Sequence, residues 1–278
     1  MKPIVAIVAQ GAMGTGLARC LTGHGVTVLT DLAGRSEASL VRARECGMTP
    51  VDRAGLVNAD IVMSVMPPAC ALPFAADLAP ILERTVRKPL FVDCNAVNPA
   101  TVRSIAKVIE PTGAAFLDVG SIGLPPRAGA PDPRLYAAGS QAARLRVLED
   151  YGLRIRVIEG PAGTASALKM SYAGITKGIL FVSSAMLLAA TRAGVSAALA
   201  DELSHSEPQL LASLARRIPD MLPKAYRWVA EMDQISGFAA EDAPAAELYR
   251  AAARFYERMA ADLERGSGEG GSLEDFFQ

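Results

Sequence analysis

The sequence is poor in the residues on which many chemistries depend. Histidine occurs twice, at His24 and His205, tryptophan once, and aromatics make up 5% of 278 residues. His205 lies among Ser204, Ser206 and Glu207, but no nucleophile elbow or suitably placed acid accompanies it, which argues against a hydrolase triad. The four cysteines, Cys20, Cys46, Cys70 and Cys94, form no CxxC pair. That spacing speaks against a zinc site, leaves no metal to expect, and speaks against a disulfide framework; it suits free thiols in a reducing cytoplasm. Charge of one sign is also missing. The 28 Lys+Arg against 29 Asp+Glu leave a formal net charge of -1, so neither nucleic acid nor an anionic membrane is expected as a partner. Long apolar runs are absent too. Gln10 and a glycine cluster interrupt the run from Met1 before a signal-peptide core forms. The stretch Gly178–Thr191 is broken by Ser183 and Ser184 and falls short of the ~20 residues a membrane span needs. A soluble cytoplasmic protein is the expectation.

What is present is 51% hydrophobic residues, enough for a sizeable core. Short Val- and Ile-rich runs punctuate the first half: 4–9, 26–30, 60–66, 90–93, 115–118, 135–138 and 153–158. They lack strict alternation, as strands buried on both faces of a parallel sheet do. Between them lie stretches long enough for crossover helices, among them 14–23 and 36–46. The pattern predicts an α/β fold, a Rossmann-type doubly wound and mostly parallel sheet over residues 1–163. Beyond Gly163 the strand-like runs stop, and an all-α C-terminal domain is expected over 164–265, beginning with one long helix over 166–193. That helix is apolar over most of its circumference, as for a helix that is buried or shared with a second subunit. Pro208, Pro219, Pro223 and Pro244 mark helix starts and bends. The Gly/Ser/acidic end, 266–278, reads as a flexible tail.

Chemistry concentrates at the ends of the strand-like runs. IVAIVAQGAMGTGLARCL, Ile4 to Leu21, reads as strand, glycine turn and helix, in which Gly11, Ala12, Met13 and Gly14 would hold a dinucleotide pyrophosphate at a helix N-terminus. Ala9 stands where such a turn usually has its first glycine. The second strand runs into TDLAGRS, and both readers of the adenosine ribose are present: Asp31 for a 2′-hydroxyl, Arg35 for a 2′-phosphate. Arg35 beside Ser36 at a helix start favours NADP(H) over NAD(H), with Asp31 pointing away or capping the turn. MSVMPP places Val65, Met66 and Pro67, and DCNAVNP places Asn95, where a nicotinamide would lie beyond the carboxyl ends of the strands. Asn95 either donates to a ribose hydroxyl or carboxamide, or with Asn98 shapes the turn before Pro99. DVGSIGLPP offers Ser121 and Gly123 to a polar substrate group, and GPAGTASALKMSY carries Lys169 on an apolar helical stretch, where desolvation favours proton exchange near neutrality.

The ordered set GAMGTG, MSVMPP, DCNAVNP, DVGSIG and GPAGTASALKM resembles the β-hydroxyacid dehydrogenase family, which includes 3-hydroxyisobutyrate and 6-phosphogluconate dehydrogenases and lies close to the imine reductases. The C-terminal half, with PKAYRWVAEM, is similar to the branch that carries a phosphogluconate-dehydrogenase-type C-terminal domain. The resemblance spans Ile4 to about Leu263 and implies a homodimer, a nicotinamide cofactor and a site in the cleft between domains. It makes Lys169 the catalytic acid/base. It also places the substrate-binding serine of the family at Ile122, one position after Ser121, and puts Tyr172 and Ala173 where the family has its His-Asn pair or single Asn. Tyr172 is then a hydrogen-bonding or acid partner of the lysine, or plain packing; Lys177 reads as a contact to an anionic substrate or as half of a surface ion pair, and Trp228 as core or dimer interface or as a substrate wall.

The sequence thus points to an NADP(H)-dependent oxidoreductase that interconverts a hydroxyl and a carbonyl on a small polar substrate. Imine reduction and a non-catalytic dinucleotide sensor are the alternatives.

Overall fold

The computed structural model describes residues 2–126, 133–266 and 268–278; residues 1 and 127–132 of the first expected domain, and 267 of the expected tail, lie outside the described residues. The chain divides into two compact units, Met1–Lys169 and Met170–Gln278.

The first unit alternates strands and helices: β1 (Ile4–Val8), α1 (Ala12–Gly23), β2 (Thr27–Asp31), α2 (Glu37–Glu45), β3 (Thr49–Val51), β4 (Ile61–Ser64), α3 (Pro68–Arg84), β5 (Leu90–Asp93), α4 (Pro99–Ile109), β6 (Phe116–Ile122), β7 (Arg134–Ala138) and β8 (Arg154–Val157). They form one eight-stranded sheet in the order β3-β2-β1-β4-β5-β6-β7-β8. Every pairing is parallel except β6 with β7. The strand order reverses between β1 and β4, the place where doubly wound sheets open a crevice for ligand.

Successive residues of each strand feed opposite cores. Val5, Ile7, Val28, Met63 and Val92 pack on one face with Leu17 and Leu21, whereas Ala6, Val8, Leu29, Val62 and Phe91 pack on the other with Leu78 and Ile105. Burial on both faces is why these strands read as continuous apolar runs rather than alternating ones. β3 was not foreseen, because it is three residues long, carries Pro50 at its centre and pairs on one side only. Such an edge strand leaves almost no pattern.

The second unit is helical. α5 (Thr164–Arg192) runs straight through Ser183 and Ser184, which do not break it, and continues into α6 (Ser196–Ser206), α7 (Pro208–Met221), α8 (Ala225–Phe238) and α9 (Ala243–Arg265). Pro208 and Pro244 open helices, Pro219 lies inside α7, and Pro223 falls in the short 3-10 turn before α8. By length and composition α5 is sufficient to cross a membrane. Its apolar character has a nearer cause, since Met170, Leu180, Leu187 and Leu188 fill the core of the helical unit against Leu214, Met232 and Tyr256.

Two expectations are corrected. The division falls between Lys169 and Met170 rather than at Gly163, because the first turns of α5 pack directly on β6. The tail from 266 is folded where it is described: α10 (Glu269–Asp275) buries Leu273, its Gly270 N–H donates to Asp262 at 2.8 Å, and Glu269 meets Arg192 at 3.0 Å and Arg258 at 3.3 Å.

Candidate active site

The glycine turn sits at the carboxyl end of the central strand. Ala9 takes a left-handed backbone, φ 86°, a region that glycine enters freely and in which Ala9 carries the strain of its methyl. A Cβ on Gly14 would stand 2.1 Å from the Ala9 carbonyl oxygen, so only glycine lets α1 approach β1 this closely. Gly11 differs: a Cβ there would meet nothing within 4 Å. It begins α1 without any side-chain cap, and no acidic residue occupies the first turn. Among the described residues no side chain caps the first N–H groups of α1, which lack intrahelical partners, the arrangement that a pyrophosphate fills. Gly11 and Ala12 are exposed and Met13 is half-buried.

At the end of β2, Asp31 is buried and its Oδ1 accepts from the Ala33 N–H at 2.9 Å, which is the turn-capping role expected of it. Arg35 is half-buried, and its guanidinium has no ion pair among the described residues. Ser36 starts α2 with its Oγ 3.2 Å from Ser39 Oγ. Arg42, one helical turn on, was missed in the sequence; its Nε donates to the Gln10 carbonyl at 2.7 Å and its Nη2 to Ser39 Oγ at 3.0 Å, tying α2 to the glycine turn.

Beyond β4, the Val65 N–H extends the pairing with Val8 at 2.9 Å, the Met66 N–H is bound by Asn95 Oδ1, and Pro67 is exposed ahead of α3. Asn95 is thus not the free cofactor ligand that its residue type indicated. It is 3% exposed, and its two amide hydrogens go to Ser64 Oγ and Asp93 Oδ1 while its carbonyl holds Met66. It clamps the loop after β4 to the loop after β5. The turn role falls to Asn98 as well, whose side chain caps α4 at Thr101 N–H, 3.0 Å away.

Ser64, Asp93 and Asp118 stand side by side in register on β4, β5 and β6, all essentially buried. Burial is the main reason that the Asp93 carboxyl is pushed up to about 7; the Asp118 charge beside it adds to this, while hydrogen bonds from Asn95 and the nearby Lys169 ammonium oppose it. Asp93 Oδ2 has no hydrogen-bond partner among the described residues. Asp118 is raised too, chiefly by burial, against the donors gathered on it. Those donors are Ser166 Oγ at 2.7 Å, Ser166 N–H at 3.0 Å and Gly163 N–H at 2.9 Å. Asp118 therefore caps the start of α5 from a neighbouring strand, a function that no local sequence signal announced.

Lys169 follows one turn later. Its Cβ lies over Gly120, where an added Cβ would stand 3.2 Å away, and its side chain is half-buried with no ion pair among the described residues. Ser121 is buried, its hydroxyl 3.6 Å from Met13 Sδ; Ile122 is half-buried; Gly123 is exposed at φ 124°. The carboxyl edge of the first unit thus collects the glycine turn, the loops after β4 and β5, Ser121 and Lys169.

Residues 4–151 match the family model described as the NAD binding domain of 6-phosphogluconate dehydrogenase. The chain belongs to the 6-phosphogluconate dehydrogenase-like family. Residues 190–259 of this 6-phosphogluconate dehydrogenase-like protein match a domain of unknown function, DUF1932. It is 31% identical over 216 residues, 77% of this chain and 82% of the other, to an uncharacterized 28.5 kDa protein of Methanothermus fervidus. Among solved structures it is similar, at TM-score 0.74 and 30% identity over 94% of this chain and 98% of the other, to a conserved protein of unknown function noted for its similarity to 3-hydroxyacid dehydrogenases. Mycobacterium tuberculosis 3-hydroxyisobutyrate dehydrogenase shares the fold at TM-score 0.74 and 19% identity, over 94% of this chain and 95% of that one.

In the helical unit, Tyr172 is 51% exposed. Lys177 and Trp228, read as substrate contacts or as an ion-pair partner and a core residue, are brought together in the second of these roles. The Lys177 ammonium pairs with Glu231 and lies 4.6 Å from the Trp228 ring centroid, and Trp228 packs edge-on to buried Tyr256 at 5.1 Å. A lysine whose charge is compensated and only 16% exposed is a packing element of the helical unit.

Proposed function

We propose that this protein is an NADP(H)-dependent oxidoreductase that interconverts a hydroxyl and a carbonyl on a small polar substrate, with Lys169 as general acid/base. The observation that carries this reading is an ammonium with no ion pair among the described residues, half-buried at the carboxyl edge of a dinucleotide-type sheet and held there by the contact of α5 with Gly120 and Asp118. When bound, the nicotinamide supplies or takes the hydride. Lys169 then delivers the proton to the developing alkoxide, or removes it in the reverse direction. Tyr172 hydrogen-bonds the same oxygen, and Ser121, with the backbone at Ile122 and Gly123, holds the polar end of the substrate. Gly11 to Gly14 take the pyrophosphate, Arg35 and Ser36 the 2′-phosphate, and Val65, Met66 and Pro67 line the nicotinamide side.

The active form proposed is a cytoplasmic homodimer. Ile175, Ile179, Val182 and Met186 are exposed along α5 at spacings of four and three, the repeat with which one helix packs on another.

The test is turnover. Wild-type protein tested on a panel of carbonyl compounds and cyclic imines with NADPH, and of hydroxy acids with NADP+, should reduce carbonyl compounds and oxidise the matching hydroxy acids, and Lys169→Ala should bind NADPH normally and lose that activity. Turnover confined to imines would move the reading to C=N reduction, and absence of any turnover would favour a sensor.

A further inference from the structure

Cofactor choice in a sheet of this type turns on the residue that ends β2. An acid there selects the unphosphorylated ribose because its oxygens accept from the 2′-hydroxyl and its charge repels a 2′-phosphate. Here that acid is already engaged. Asp31, with its side chain 4% exposed, spends Oδ1 on the Ala33 N–H at 2.9 Å and Oδ2 on Arg53 Nε at 2.7 Å. Arg53 lies just past β3, the parallel neighbour in which Val51 stands opposite Asp31. It is anchored from α3 as well: its guanidinium carbon is 5.2 Å from the Phe74 ring centroid and its Nη1 3.3 Å from Asp77 Oδ2. The backbone of Asp31 is held in turn by Gln10, whose Nε2 donates to the Asp31 carbonyl at 3.2 Å and to Thr30 Oγ1 at 2.6 Å. The charge of this carboxylate is thus compensated by a planar, stacked guanidinium, and with 4% of its side chain exposed it has little surface left to offer a ribose hydroxyl.

We infer that Arg53 is the cofactor-specificity residue of this chain: by pairing with Asp31 it withdraws the acid from the 2′-hydroxyl and compensates the negative charge that Asp31 would otherwise set against a 2′-phosphate at the Arg35–Ser36 turn. The inference rests on the proposed NADP(H) reading of that turn. Arg53 touches no cofactor atom in this account; it acts through Asp31 and is a positioning residue.

The experiment is a set of dissociation constants for NADPH and NADH, measured by titration on the full chain. Arg53→Met keeps the stem over Phe74 and frees the carboxylate, and it should move the NADPH:NADH affinity ratio toward NADH by about tenfold or more, as exposing a buried charge to a new partner would. Asp31→Asn alone should leave NADH affinity within about threefold of wild type, and in the double variant the NADH gain should vanish, the non-additivity expected of residues in direct contact. Equal changes in both affinities on Arg53→Met, or a gain that survives in the double variant, overturn the inference. So does a loss of NADH affinity of about tenfold or more on Asp31→Asn, since an acid withheld from the ribose has nothing to lose there. Should Arg53→Met fail to fold, Asp31→Asn decides alone. The wild-type ratio speaks separately: a preference for NADH overturns the NADP(H) reading, while the coupling between Arg53 and Asp31 is read from the changes.

Discussion

Asp118 on β6 and Ser166 on α5 are joined twice, hydroxyl to Oδ1 at 2.7 Å and backbone N–H to Oδ2 at 3.0 Å. This pair ties the first turn of α5 to β6, and Lys169 is carried one turn farther along. Hydrogen bonds to a buried carboxylate are each worth about 1.5–3 kcal/mol. Ser166→Ala should therefore cost about 2 kcal/mol in urea unfolding. It should also lower kcat while leaving NADPH affinity near wild type, because the glycine turn is not involved.

Gly120 gives a second handle on the same geometry. A methyl there would stand 2.5 Å from the Ala165 carbonyl oxygen and 3.2 Å from Lys169 Cβ, so Gly120→Ala must push α5 off β6. A displacement of about 1 Å at a reacting group costs on the order of 100-fold in rate. Steady-state kinetics should show that loss in kcat, with the protein still folded by circular dichroism.

Asp93 predicts a pH dependence of stability. Its carboxyl is raised from the ordinary 3.8 to about 7 in the folded protein, chiefly by burial. Between those values the native state holds a proton that the unfolded chain has released, so this group's contribution is fully present below 3.8 and is lost as pH rises through about 7. Thermal unfolding followed from pH 4 to pH 8 should show Asp93→Asn gaining on wild type across that window. A constant difference would mean that Asp93 is ionised throughout.

Ala9 holds its φ of 86° against its own methyl. Ala9→Gly should raise stability by about 1 kcal/mol, since glycine enters the left-handed region without that clash. Calorimetry would register it as a higher Tm, and NADPH affinity should not change.

The exposed stripe on α5 predicts an assembly. A glutamate at Ile179 or Met186 places a charge in the apolar seam proposed for the second copy, and light scattering should then report a monomer where wild type is a dimer. If wild type is itself monomeric, the homodimer is wrong.

The main elements of this fold were legible because their signals are local. Strands buried on both faces must be apolar at every position, and Gly14 must be glycine where α1 nearly touches β1. What was missed was either too short or depended on distant partners. β3 is three residues with a central proline, and α10 hides in a Gly/Ser/acidic segment because its stability comes from Asp262, Arg192 and Leu273 rather than from its own propensity.

The candidate site divides the same way. Lys169, Ser121 and the glycine turn were identified by type and position, and they gather at one edge of the sheet. Asn95 and Lys177 were identified by type too, yet their polar groups are taken up by Ser64, Asp93, Met66 and Glu231. Residue type states what a side chain can do; whether it is free to do so depends on what stands beside it.

By itself, then, the sequence determined the alternation of strands and helices and the glycine turn at the end of β1, since periodicity and steric need act within a few residues. Only the tertiary structure decided which charges are available. Asp31 meets Arg53 from 22 positions away, Lys177 meets Glu231 from 54, and Asp118 caps α5 from 48, and electrostatics in a folded chain is settled by proximity in space.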